Sequence, residues 1–181
     1  AYAPKIGIRV LDGNGNYTQH TNSVQIPTNR WYEPLHFQVL ENGKVIAEEK
    51  LDLTGRDVLV EITSDSLGDT LAWLPACRAF QLKHGCFLYL KTYYTNFLRQ
   101  VTDFKHIDDL RRDDWFYMTY KLGCFDERSW RTRSLSEIAC DLLDVENPEP
   151  IEYHIPDKSK YLLTEPAVCI SEHASTKAKL W

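Results

Sequence analysis

The chain has 181 residues, of which 43% are hydrophobic and 26% charged, and its net charge is −5. A chain this long buries about 70% of its unfolded surface, so it folds without needing disulfides. Residues 1–70 carry six basic and ten acidic side chains, 71–145 eleven and ten, and 146–181 four and six; no lobe is strongly basic, which argues against non-specific nucleic-acid binding.

Ile6, Ile8 and Val10 alternate with Gly7 and Arg9, the period of a half-buried strand. The stretch Asp12-Gly13-Asn14-Gly15-Asn16 supplies residues that tolerate positive φ at a hairpin turn. Leu35, Phe37 and Val39 alternate again, and Glu41-Asn42-Gly43-Lys44 turns the chain into Val45-Ile46-Ala47. Asp57 to Thr63 predicts a further strand. Pro27 and Pro34 bracket Trp31-Tyr32 and confine that stretch to an edge or loop.

From Cys86 to Asn147 the chain runs 62 residues without proline and with one glycine, Gly123. Such a run predicts long, mostly helical segments. Leu90, Tyr94, Phe97, Leu98, Val101 and Phe104 fall on one face of a helix starting near residue 88, although Phe87 to Leu90 also suits a buried strand. Ile107 and Leu110 predict a short helical turn, and Trp115 to Leu122 a buried helix or strand ended by Gly123. Ser134-Leu135-Ser136-Glu137 is a capping box. Leu135, Ile138, Ala139, Leu142 and Leu143 form the apolar face behind it, and the helix must stop before Pro148. Beyond Pro148 the chain reads as extended, with Ile151, Tyr153 and Ile155 alternating as an edge strand.

The expected fold is α+β. An N-terminal antiparallel β-unit (1–70), sandwich-like or open, packs on an aromatic-rich helical region (71–147), followed by an extended C-terminal segment (148–181). Half of the 22 aromatic residues lie between Phe80 and Tyr120, which marks shared core.

Four groups of residues are candidates for chemistry or contact. Asp103, Asp108, Asp109, Asp113 and Asp114, interleaved with Lys105, His106, Arg111 and Arg112, read either as a carboxylate metal site or as a solvated face with ion pairs. His84, Cys86, Cys169 and His173 offer two imidazoles and two sulfurs, a set acceptable to zinc or to a Cys–His nucleophile pair, at spacings that are not diagnostic. Arg128, Trp130, Arg131 and Arg133 form the one local basic cluster with an aromatic, suited to nucleic acid or to acids on this or a partner chain. Trp31 and Tyr32 are either a partner platform or loop anchors in the core.

No phosphate loop, nucleophile elbow or dinucleotide fingerprint occurs in the sequence. The leading expectation is therefore a non-enzymatic structural or adaptor subunit of a larger cellular or viral assembly, without cofactor. It would act through a protein partner or as a homo-oligomer. The alternatives are a nucleic-acid-associated protein and a metal- or thiol-dependent hydrolase. Five cysteines without a Cys-x-x-Cys pair, and no apolar run approaching 18 residues, imply free thiols in a cytoplasmic or similarly reducing compartment and no membrane insertion.

Overall fold

The computed structural model describes residues 5–12, 14–21, 32–109, 115–123, 132–146 and 148–154. They form two four-stranded sheets and three α-helices. The first sheet is antiparallel and comprises β1 (Ile6–Leu11), β2 (Tyr17–Thr21), β3 (His36–Glu41) and β4 (Lys44–Lys50), in the order β2-β1-β3-β4. Both hairpin turns predicted from sequence are present. Asp12 accepts the backbone N–H groups of Asn14 and Asn16 at 3.0 and 2.8 Å. Asn42 and Gly43 both take positive φ, 52° and 83°, the mirror-image turn whose twist matches that of the strands. One face of this sheet carries a polar row: Arg9 donates to Gln38, Gln38 donates to Glu48, and His36 lies 3.4 Å from Glu48.

The second sheet contains β5 (Asp57–Ile62), β6 (Phe87–Lys91), β7 (Lys105–His106) and β8 (Met118–Leu122), ordered β7-β6-β5-β8 with every pairing parallel. Parallel neighbours need long crossovers. Helices α1 (Leu67–His84) and α2 (Thr95–Val101) occupy the first two, and α3 (Leu135–Leu143) follows the last strand. One face of the sheet, bearing Val58, Val60, Ile62, Leu88, Leu90, Tyr120 and Leu122, joins Trp73, Phe80, Leu98, Ala139 and Leu143 of the helices in a single core. Tyr32 enters the same core from the loop before β3, its backbone N–H donating to the Leu142 carbonyl.

The mixed α and β content is as expected, but its arrangement differs. No described side chain of β1, β3 or β4 belongs to the helix-covered core; the helices cover the parallel sheet instead. Asp57–Ile62 leaves the antiparallel unit to become the centre of that sheet, and a boundary at residue 70 falls inside α1. Among its described residues the run from Cys86 is likewise not mostly helical. Its start is strand β6, with Leu88, Tyr89 and Leu90 only 1, 8 and 0% exposed, because a central parallel strand is buried on both faces and reads as a continuous apolar run.

The longest described helix, α1, begins four residues before the helical region expected from residue 71, and no apolar periodicity marks it there. Pro75 sits in its interior, normally a helix-breaking position. Leu67, Leu71, Ala72, Ala79 and Leu82, all off the fully buried stripe, blur its periodicity. Packing of Trp73, Leu74, Cys77 and Phe80, each no more than 1% exposed, outweighs the lost hydrogen bond. Helix α3 is as predicted: Ser134 accepts the Glu137 N–H and the Glu137 carboxylate accepts the Ser134 N–H, a cap worth about 1 kcal/mol. It ends at Asp144 in the left-handed conformation, before Pro148. Residues 148–154 form no strand, so the edge strand expected there is absent from its described part; His154 N–H instead donates to the Val101 carbonyl.

His106, at the end of β7, is fully buried, and neither ring nitrogen has a hydrogen-bond partner among the described residues. Burial holds its pKa below the ordinary 6.5; Arg99 acts in the same direction, while Asp109 and Asp108 oppose it. His84 is lowered too, chiefly by burial and then by Lys83. The unfolded chain therefore binds more protons than the folded chain as the pH falls below about 6.5, and stability declines there by at most about 1.4 kcal/mol per pH unit for each histidine. Urea unfolding at pH 7.5 and 5.5 should reveal this loss, and His106→Leu should shrink the difference. An unchanged difference in that variant would exclude His106 as a source.

Candidate functional site

The order of the parallel sheet sets where a site forms. In chain order the strands lie third, second, first, fourth, so the winding reverses beside β5. Open parallel sheets bind ligands outside the carboxyl ends of their strands near such a reversal. Here Thr63, just past β5, closes the β5–β8 side by donating from its backbone N–H and its hydroxyl to the Leu122 carbonyl, at 3.0 and 2.9 Å. The opening lies one strand over. A crevice of about 290 Å³ at the ends of β5 and β6 is lined by Glu61, Ile62, Thr63, Lys91, Thr92 and Tyr93.

Strand alternation puts Glu61, Lys91 and Lys121 on the sheet face opposite the helices, and the parallel register sets them side by side. Lys91 Nζ donates to Glu61 Oε1 at 2.7 Å, while Lys121 Nζ stands 3.9 Å from Oε2. The same face carries Leu59, Phe87 and Tyr89, with the Phe116 ring 5.7 Å from that of Tyr89 and Lys105 over the Phe87 and Tyr89 rings.

The turn from β5 into α1 is closed on itself. Ser66 caps the helix by accepting the Asp69 N–H, and the Ser64 hydroxyl donates to the Asp69 carboxylate at 2.7 Å. Tyr94 donates from its hydroxyl to the Asp65 carbonyl, and Thr92 accepts the Tyr94 N–H. A helix N-terminus that binds phosphate needs free N–H groups and no competing carboxylate; this one has Asp69 in its first turn.

The residues singled out from sequence lie elsewhere. Tyr32 is 7% exposed and is a core anchor, not a surface platform, its ring 4.4 Å from His84 and 5.5 Å from Phe80. Arg133 pairs with Asp141 of α3 at 2.6 Å. Of the acidic group, Asp103 pairs with Arg78, and Asp109 with both Arg99 and the His106 N–H. Those two carboxylates are occupied by cations and backbone. Trp31, Asp113, Asp114, Arg128, Trp130, Arg131, Cys169 and His173 lie outside the described residues. Glu61, Thr63, Lys91 and Tyr93 do not stand out in the sequence, because none belongs to a motif. Their signal is positional: each follows a short, continuous apolar run, Val58–Val60 or Leu88–Leu90, the mark of a parallel strand.

No protein-family model matches the chain. Its sequence is 25% identical over 192 residues to the autotransporter heptosyltransferase BAHTCr of Citrobacter rodentium, covering 96% of this chain and 46% of that protein. It is 25% identical over 203 residues to the inactive autotransporter heptosyltransferase BimC of Burkholderia thailandensis, covering 97% and 48%. Among solved structures it resembles the iron-containing dodecameric glycosyltransferase TibC of enterotoxigenic Escherichia coli, with a TM-score of 0.80 at 22% identity over 97% of this chain and 50% of that one. The chain thus spans about half the length of the curated relatives it matches. These likenesses overturn the expectation of a non-enzymatic adaptor or virion subunit: the similar proteins are named heptosyltransferases and a glycosyltransferase, one of them inactive.

Among the described residues no three His, Cys, Asp or Glu side chains converge as a metal site, and His84 and Cys86 bring no third ligand. Nor is any described helix long and apolar enough to cross a membrane. Burial pushes the Cys77 thiol up to about 12 and raises Cys86 and Cys140 as well, so none is a ready nucleophile. In native protein at pH 8, Cys77 and Cys86 should react with a thiol reagent more than about tenfold slower than in urea. Mapping the labelled peptides checks this, and a fast native reaction at Cys86 would restore a thiol function.

Proposed function

We propose that this chain takes part in glycosyl transfer, passing a heptose from a nucleotide-activated donor to an autotransporter protein. The observation that carries the proposal is the all-parallel sheet with its strand-end crevice, combined with likeness over 84–97% of the chain to four autotransporter heptosyltransferases, TibC among them and one named inactive. TibC has also been crystallised with ADP-D-β-D-heptose, which supports that donor class here. In such a transfer the bond from the anomeric carbon to the diphosphate oxygen breaks, and the nucleotide diphosphate leaves with the electron pair. An acceptor oxygen then bonds to that carbon and loses its proton.

Fold class alone does not fix chemistry, so the test is direct. The protein is incubated with ADP-heptose and an autotransporter passenger, and intact-mass spectrometry reads the acceptor. The expected result is a shift of one or more heptosyl units that disappears without the donor. An unchanged acceptor across donor concentrations would place the chain with its inactive relative and overturn the activity.

The dodecameric state of TibC supports self-association of this chain as well. Light scattering after size exclusion should give a mass several times that of the 21.1 kDa monomer. A strictly monomeric species would count against it.

A further inference from the structure

The crevice at the ends of β5 and β6 has a chemistry that indicates which part of such a ligand it would hold. Resting on the sugar-transfer reading above, we propose that it binds an uncharged, polyhydroxylated sugar ring. Tyr93 is the platform under the ring, and the Lys91–Glu61 pair, backed by Lys121, reads adjacent hydroxyls.

Three observations converge on this. Tyr93 lines the crevice yet is 73% exposed, so its ring has a free apolar face, and aromatic side chains pair an apolar body with a polar tip suited to such contacts. Glu61 spends one oxygen on Lys91 at 2.7 Å, but its other oxygen lies 3.9 Å from Lys121, beyond hydrogen-bond reach. A half-buried carboxylate therefore keeps acceptor capacity beside ammonium groups with donors to spare. A pair of neighbouring hydroxyls, one donating and one accepting, matches that juxtaposition; an apolar ligand does not.

The third observation separates a neutral ligand from a phosphate. Glu61 already balances Lys91, and the adjoining helix start is filled by the Ser64, Ser66 and Asp69 side chains. A dianion would have to displace one carboxylate and approach another. A neutral ring displaces nothing, and a space of about 290 Å³ accommodates one monosaccharide.

The experiment titrates the isotopically labelled 181-residue chain with D-mannose, D-glucose and a free heptose, and separately with inorganic phosphate. Amide shifts and saturation transfer to the sugar are followed by NMR. Saturable sugar binding, with a dissociation constant on the order of millimolar, should perturb Thr63, Thr92 and Tyr93, while phosphate leaves them unmoved. Tyr93→Ala should weaken binding about tenfold with the fold intact, Tyr93→Phe should retain it, and Glu61→Gln should weaken it. Sugars that leave these residues unperturbed, equal binding by Tyr93→Ala, or a preference for phosphate would each overturn the inference. Sugar bound here without any transfer to an acceptor would uphold the site and overturn only the proposed activity.

Discussion

Strand β5 is the constraint on which the rest of the structure depends. It pairs in parallel with β6 on one side and β8 on the other, and parallel pairing cannot be closed by a tight turn. Every crossover must therefore leave the sheet and return, which is why α1 and α2 lie where they do. Because β5 is central, Val58 and Val60 are completely buried, and their side chains set the level at which Trp73 and Phe80 of α1 pack. The same strand also ends in Glu61, flanked in register by Lys91 and Lys121. Core and crevice are thus opposite products of one strand: its even positions face the helices, and Glu61, at the end of its odd face, lines the crevice.

What was legible in the sequence was whatever local chemistry decides. The Asn42-Gly43 turn follows from the need for two positive φ angles, and the start of α3 from the reciprocal bonds of Ser134 and Glu137. What was not legible was pairing between distant segments. Nothing in Asp57–Ile62 states that its neighbours are Phe87–Lys91 and Met118–Leu122 rather than the hairpins before it. The bounds of helix α1 were not legible for a different reason: Pro75 disfavours the helix locally, and only tertiary burial of Trp73 and Phe80 outweighs that penalty. The crevice was hidden because its residues are functional by position, not by type. A carboxylate, two threonines, a lysine and a tyrosine become a site only when two strand ends bring them together.

The two sheets also divide the physical tasks. The described side chains of the antiparallel sheet contribute nothing to the helix-covered core, and its polar row of Arg9, Gln38, Glu48 and His36 is a solvent-compatible face. Its outer strand β4 is exposed along its whole length and carries Lys44, Lys50, Glu48 and Glu49, the charged edge that discourages unintended strand addition. The parallel sheet has one covered face and one on which aromatic rings and cations meet, with Arg56 over Tyr117 and Lys105 over Phe87.

The pairing of β5 with β8 has a consequence in time. Val58 lies opposite Met118, sixty positions further along the chain. A chain emerging from the ribosome completes its first hairpins early, because β3 and β4 are joined by two residues. It completes β5 only after α1, β6, α2 and β7 have all been made. Throughout that interval one edge of the most apolar strand stays open, and long-range parallel pairing is slow and prone to association with other chains. The cap at Ser66, made within the Ser64–Asp69 turn, needs none of the later strands.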